Sequence, residues 1–173
     1  MRMRRRDEQV LQHIPRLRRY AYALLGDSDR AEDLVQETLA RALGRLHFWR
    51  RGSDMRAWLF TIMHHQFAND YRRAQKRPDV VALDDTCREA VAVDTAELHA
   101  GLHDIEQALM QLPEDQRAAL LLVSLEGLSY AESARVLGIR PGTLMSRLHR
   151  AREKLRTALS HTPGKVRQIR SVK

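Results

Sequence analysis

SYAESARVLGIRPGTLMSRLHRAREKLR, residues 129–156, is the stretch on which the reading of this chain turns. Ser129 and Glu132 stand three apart in the S-x-x-E arrangement of a capping box, which gives a helix a defined start. Gly138 ends that helix after Leu137, and Pro141 sits where the first turn of a second helix tolerates a missing N–H. Leu144, Leu148, Ala151, Leu155 and Leu159 recur at helical spacing and lay an apolar stripe along this second helix. At about 100° per residue, Thr143, Met145, Ser146, His149 and Arg150 project away from the stripe, with Arg147 on its flank. Such a helix packs on a small core with one side and enters a DNA major groove with the N-terminal part of the other. The same pattern also fits an ordinary amphipathic helix pair with a solvated polar face, so the surrounding chain has to decide.

Composition narrows the classes. A chain of 173 residues suffices for one domain or two small ones. Its net charge of +8 points to a polyanionic partner. No apolar run approaches the roughly 18 residues that a bilayer span needs, so no membrane insertion is expected. The opening MRMRRR is followed by Asp7, Glu8 and Gln9 rather than the apolar core of a secretory signal, which predicts a cytoplasmic protein. Cys87 is the sole cysteine, which excludes an intrachain disulfide and a multi-cysteine zinc site. Its neighbours Asp84, Asp85 and Glu89 disfavour a reactive thiolate.

Charge divides the chain. Residues 1–77 hold 17 Lys/Arg against 9 Asp/Glu, and residues 98–173 hold 12 against 7. Between them, residues 78–97 hold only Arg88 against Asp79, Asp84, Asp85, Glu89, Asp94 and Glu97. This middle stretch opens with Pro78, shows no sustained period and reads as a flexible acidic linker. Helical signals dominate both flanks, with no convincing alternating strand. The expected architecture is all-α: a helical domain over 1–77, the linker 78–97, a second helical domain over 98–160 and a basic tail 161–173. In the second domain Leu98, Leu102, Ile105, Leu109 and Leu112 recur at helical spacing. Pro113 then opens PEDQRAALLLVSLEG with its acids in the first turn, where the helix dipole favours them.

The first domain carries two informative segments. Asp29 and Glu32 read as the start of a helix through DRAEDLVQETLARALGRLHFW, with Leu34, Val35, Thr38, Leu39, Ala42, Leu43 and Leu46 as its buried side. Glu32, Asp33, Gln36 and Glu37 form an acidic island there. Dipole chemistry accounts for its first part, but Gln36 and Glu37 lie beyond the first turn, which suggests a basic protein partner. A further helix is predicted over Met55–Arg77. Met55, Trp58, Leu59 and Ile62 fall on one side, and Phe60, Thr61, His64, Ala68, Tyr71, Arg72 and Gln75 on the other. Aromatics interleaved with basic and amide groups suit stacking on exposed bases; a wide apolar face with a basic solvated end fits equally well.

Together these segments resemble the extracytoplasmic-function (ECF) sigma factors of the sigma-70 class. DRAEDLVQETLARAL is similar to the family's region 2.2 pattern, DMRAWLFTIMHHQFANDYRR to regions 2.3 and 2.4, and the segment from Leu112 to Arg156 to regions 4.1 and 4.2. The resemblance covers roughly residues 10–77 and 98–160, with three motifs in the family's order. It implies that Thr143, Ser146, Arg147, His149 and Arg150, with Arg152 near the backbone, bind the −35 promoter element. It implies that Trp58, Thr61, His65, Asn69, Arg72 and Arg73 hold an extruded −10 base, whose flipping costs a few kcal/mol. Glu32, Asp33, Gln36 and Glu37 would dock on the β′ coiled coil of core RNA polymerase, and an anti-sigma factor would regulate the chain. Two positions depart from the pattern: His65 stands where many members carry Asn, and Met145 where Lys or Arg is usual. The sequence Trp58-Leu59-Phe60-Thr61 is closest to members tied to general stress responses.

No catalytic constellation or phosphate-binding glycine loop stands out, so neither an enzyme nor a cofactor is expected. His99 and His103 are spaced i, i+4, yet no carboxylate or cysteine completes a ligand set, and no metal is expected. Two other classes stay in view: a sigma mimic that sequesters an anti-sigma factor, and a dimeric helix–turn–helix repressor. Mimics usually add a receiver domain, for which this chain has no room. The repressor reading leaves the acidic island unexplained and lacks a dimerisation heptad.

Overall fold

The computed structural model describes residues 2–50, 52–75 and 96–160, which form helices and turns without a strand. Helix α1 spans Arg2–Leu11, a helix that the sequence reading did not anticipate, and it delivers Val10 to the core. Helix α2 (Ile14–Leu25) has proline in its first turn and stops at Gly26, whose φ of +70° lets its N–H close on the Tyr22 carbonyl. Helix α3 runs over Ser28–Arg45. Its cap corrects the D-x-x-E expectation: the Asp27 side chain, not Asp29, accepts the Arg30 N–H at 2.9 Å. Asp29 stands in the first turn instead, where the dipole favours it. A short 3₁₀ turn, Leu46–Phe48, follows. Asp54 accepts the Arg56 N–H at 2.8 Å and starts helix α4, Met55–Gln75.

The second half holds α5 (Ala96–Met110), α6 (Glu114–Ser124), α7 (Tyr130–Leu137) and α8 (Pro141–Ser160). The helix–turn–helix forms as expected. The Ser129 side chain accepts the Glu132 N–H at 3.2 Å while Glu132 accepts the Ser129 N–H at 2.8 Å. Gly138 adopts φ +63° between the two helices, and Pro141 opens α8. Stretch 78–95, with Cys87, and tail 161–173 lie outside the described residues.

Packing departs from the helical-wheel expectation in three places. Leu43, assigned to the buried side of α3, is 50% exposed, and Leu34, Val35, Thr38 and Ala42 carry the burial there. Leu102 and Ile105 of α5 are likewise largely exposed, and Ala108 and Leu112 carry the burial there. Phe60, placed on the base-stacking side of α4, is instead 1% exposed and meets Tyr20 edge to face, with ring centroids 5.0 Å apart. Apolar residues of both halves form one contiguous cluster, from Leu17, Leu24 and Val35 through Leu59 and Met63 to Leu122, Leu144 and Leu148. Helix α4 packs on α7, and α2 on α5 and α6, so the two lobes share a seam.

Candidate nucleic-acid and polymerase interfaces

Helix α8 divides along its length as a recognition helix requires. Leu144, Leu148 and Ala151 are buried against α6 and α7. Thr143, Ser146, His149, Arg150 and Arg152 are exposed, and Met145 stands among them. The Ser146 hydroxyl donates to the Gly142 carbonyl at 3.1 Å, which holds it on the outer face. Arg147 differs: its Nε lies 3.1 Å from Asp115 Oδ2 at the start of α6, and its side chain is mostly covered. To reach DNA its guanidinium has to leave that carboxylate.

In α4, positions 58, 61, 65, 69 and 72 fall within one side of a continuous helix. Trp58 and Thr61 are half-buried, whereas His65, Asn69, Arg72 and Arg73 are exposed. Thr61 bonds back to the Ala57 carbonyl at 2.8 Å, and Asn69 Oδ1 accepts from Arg72 at 2.9 Å. Arg73 lies 4.0 Å from Asp70. The expected −10 residues are thus gathered on one face, with the cationic ones at its C-terminal end. On another side of the same helix, His64 is held neutral: burial pushes its pKa down to about 4, and the charges of His65 and of Arg147 add to the effect.

The acidic island is real but partly neutralised. Arg18 grips Glu32 through two bonds of 2.9 Å, Gln36 adds a third at 2.7 Å, and the Arg18 bond holds the Glu32 carboxyl below its ordinary range. Glu37 pairs with Arg41 at 2.8 Å. Asp33 and Glu37 rim a groove of about 240 Å³ whose apolar lining includes Leu25, Leu34 and Phe67, with Asp70 on the α4 side. Arg30 and Glu114 line it as well, so an apolar floor lies under walls that are acidic on balance, which suits a basic helical partner.

One constellation escaped the sequence reading. Glu126, in the turn between α6 and α7, is buried at the seam beside Arg16, Arg19 and Arg56. These partners lie 70 (Arg56), 107 (Arg19) and 110 (Arg16) residues away along the chain, where no periodicity or spacing signals them.

The comparisons with known proteins follow the two lobes. Residues 10–64 match the family model "Sigma2 domain of PhyR", and residues 102–155 match "Sigma-70, region 4". An ECF RNA polymerase sigma factor, EcfG of Rhodopseudomonas palustris, is 41% identical over 160 residues, covering 92% of this chain and 86% of its own. The sigma factor RpoE of Bartonella quintana, solved with the anti-sigma factor NepR, superposes with a TM-score of 0.75 at 33% identity, over 90% of this chain and 96% of that one. CnrH, solved with the cytosolic domain of CnrY, gives 0.67 at 25% identity, over 91% and 88%. An all-helical pair of sigma region 2 and region 4 domains defines the class, and this chain belongs to the ECF RNA polymerase sigma factors of the sigma-70 class. No described helix is long and apolar enough to cross a membrane.

Proposed function

We propose that this chain binds core RNA polymerase and directs it to promoters, acting in the cytoplasm under the control of an anti-sigma factor. Residues 98–160 form the −35-reading unit, residues 1–77 the unit that binds polymerase and opens the −10 element, and residues 78–97 join them. The observation that carries the reading is the outward face of α8, where Thr143, Ser146, His149 and Arg150 stand exposed over a buried apolar stripe. The exposed α4 set from His65 to Arg73 takes the single strand, and the groove between Asp33, Glu37 and Phe67 takes a basic helical element of polymerase. A complex of a relative with NepR supports an anti-sigma factor as the regulator.

Run-off transcription with purified core polymerase and a promoter library tests this, and promoter-dependent transcripts are expected. The first lobe's match to the PhyR domain keeps the mimic as a second reading. Tight binding to an anti-sigma factor without any transcript would establish it. Binding to a palindromic operator without polymerase would establish a repressor. Within the main reading, Arg150→Ala is expected to weaken −35 binding by about 1–3 kcal/mol, the range for a base-edge contact. Fluorescence anisotropy with −35 duplexes measures it, and an unchanged affinity removes Arg150 from the reading face.

A further inference from the structure

A buried carboxylate lies in the seam between the lobes, beside the apolar residues that the two share. The Glu126 side chain is fully buried, and its Oε1 accepts a 2.9 Å bond from Arg19. Its Oε2 lies 3.9 Å from Arg16 and has no hydrogen-bond partner among the described residues. Arg19 also reaches the Leu125 carbonyl at 3.3 Å, and Arg56 donates to the Glu126 carbonyl at 2.9 Å. The carboxylate comes from the second lobe, and all three arginines come from the first, from α2 and the start of α4.

The two sides of this contact are unequal. The side chains of Arg16 and Arg19 are about half exposed (48% and 53%), so they stay hydrated whether the lobes are closed or open. The Glu126 side chain, by contrast, has none of its surface exposed with the lobes together. A buried charge depends on its partners for survival in the closed state, and an incompletely bonded one is costly. Closure, which also buries the apolar residues shared by the lobes, therefore leaves this carboxylate dependent on the arginines. In this arrangement α4 lies against α7, and Arg147 of α8 is close enough to depress the pKa of His64. Both helices read as nucleic-acid elements are thereby drawn into the seam.

We propose that Glu126 is the pin of an inter-lobe latch, seated in a cradle of Arg16, Arg19 and Arg56, which keeps the lobes closed until the carboxylate is released to water. The closed state is self-inhibited in so far as the proposed roles of α4 and α8 hold. The latch itself is a statement about distance between lobes and does not depend on those roles.

The test uses the full chain with Cys87→Ser and donor and acceptor dyes on Arg45→Cys in the first lobe and Lys154→Cys in the second. Energy transfer then reports closure. Removing the two cations beside the carboxylate, Arg16→Met with Arg19→Met, leaves Glu126 buried with neither carboxylate oxygen paired and only Arg56 on its backbone carbonyl, and transfer is expected to fall. Adding Glu126→Gln to that pair removes the charge that needs hydration, and transfer is expected to recover. Circular dichroism checks that each variant keeps its helices. Transfer that is unchanged in the arginine pair overturns the latch. A fall that Glu126→Gln does not reverse also overturns it, since the arginines would then act by packing rather than as counter-charges. None of these readouts involves polymerase, so a chain that failed to start transcription would still give a decisive answer on the latch.

Discussion

Phe60→Ala is expected to cost about 3–5 kcal/mol of folding stability, the range for deleting a buried aromatic ring. The ring is almost wholly enclosed and meets Tyr20 at an interplanar angle of 66°. Edge-to-face pairs add about 0.5–1.5 kcal/mol beyond the area they bury. The lost ring would also leave a void beside the Tyr20 ring, whose hydroxyl is buried without a hydrogen-bond partner among the described residues. Because α2 and α4 both contribute to the seam, the damage should not stay within one lobe. Urea denaturation followed by circular dichroism measures it, with Phe60→Leu as a milder companion that refills most of the space. A loss under about 1 kcal/mol would match a surface site and would return Phe60 to the base-stacking role that its helical position suggested.

That contrast locates what a sequence makes legible. Capping and periodicity are local, so Ser129, Glu132, Gly138 and the stripe Leu144–Leu148–Ala151 could be read from neighbours within a turn or two. The exposed face of α8 followed directly. Which side of α4 is buried was harder: Leu59, Met63, Phe67 and Phe60 enter the core along one arc of about 100°, which crosses the division of the helix into a Met55–Leu59 side and a Phe60 side. A wheel ranks such faces by composition, whereas the fold ranks them by what packs there, and here both α3 and α7 pack on α4. The acidic island was visible as residues but not as charge, since Arg18 stands 14 positions before Glu32. Glu126 was invisible for the same reason on a larger scale. A glutamate at the end of an amphipathic helix looks solvated until three arginines from the other lobe enclose it.

Acid should weaken this fold in a window set by His64. Its pKa lies near 4 in the folded chain against an ordinary 6.5, chiefly through burial, with the charges of His65 and Arg147 reinforcing it. Above pH 6.5 the imidazole is neutral both folded and unfolded, and it contributes no pH dependence. Between 6.5 and about 4 the unfolded chain takes up a proton that the folded chain refuses, so stability falls as pH falls. Each pH unit between the unfolded and folded values is worth about 1.36 kcal/mol. The loss therefore approaches roughly 3 kcal/mol at the lower end of the window. His13 is displaced in the same direction, again chiefly by burial, and adds to the slope. Stability measured in urea at intervals from pH 7 to pH 4 isolates the larger share when the parent is compared with His64→Leu, which cannot titrate. The parent should lose stability more steeply, and the gap between the two curves should open only below pH 6.5. Parallel curves would mean that His64 takes up its proton inside the folded chain, which requires water to reach this largely buried imidazole. The same experiment therefore reads how tightly the two lobes close around this residue.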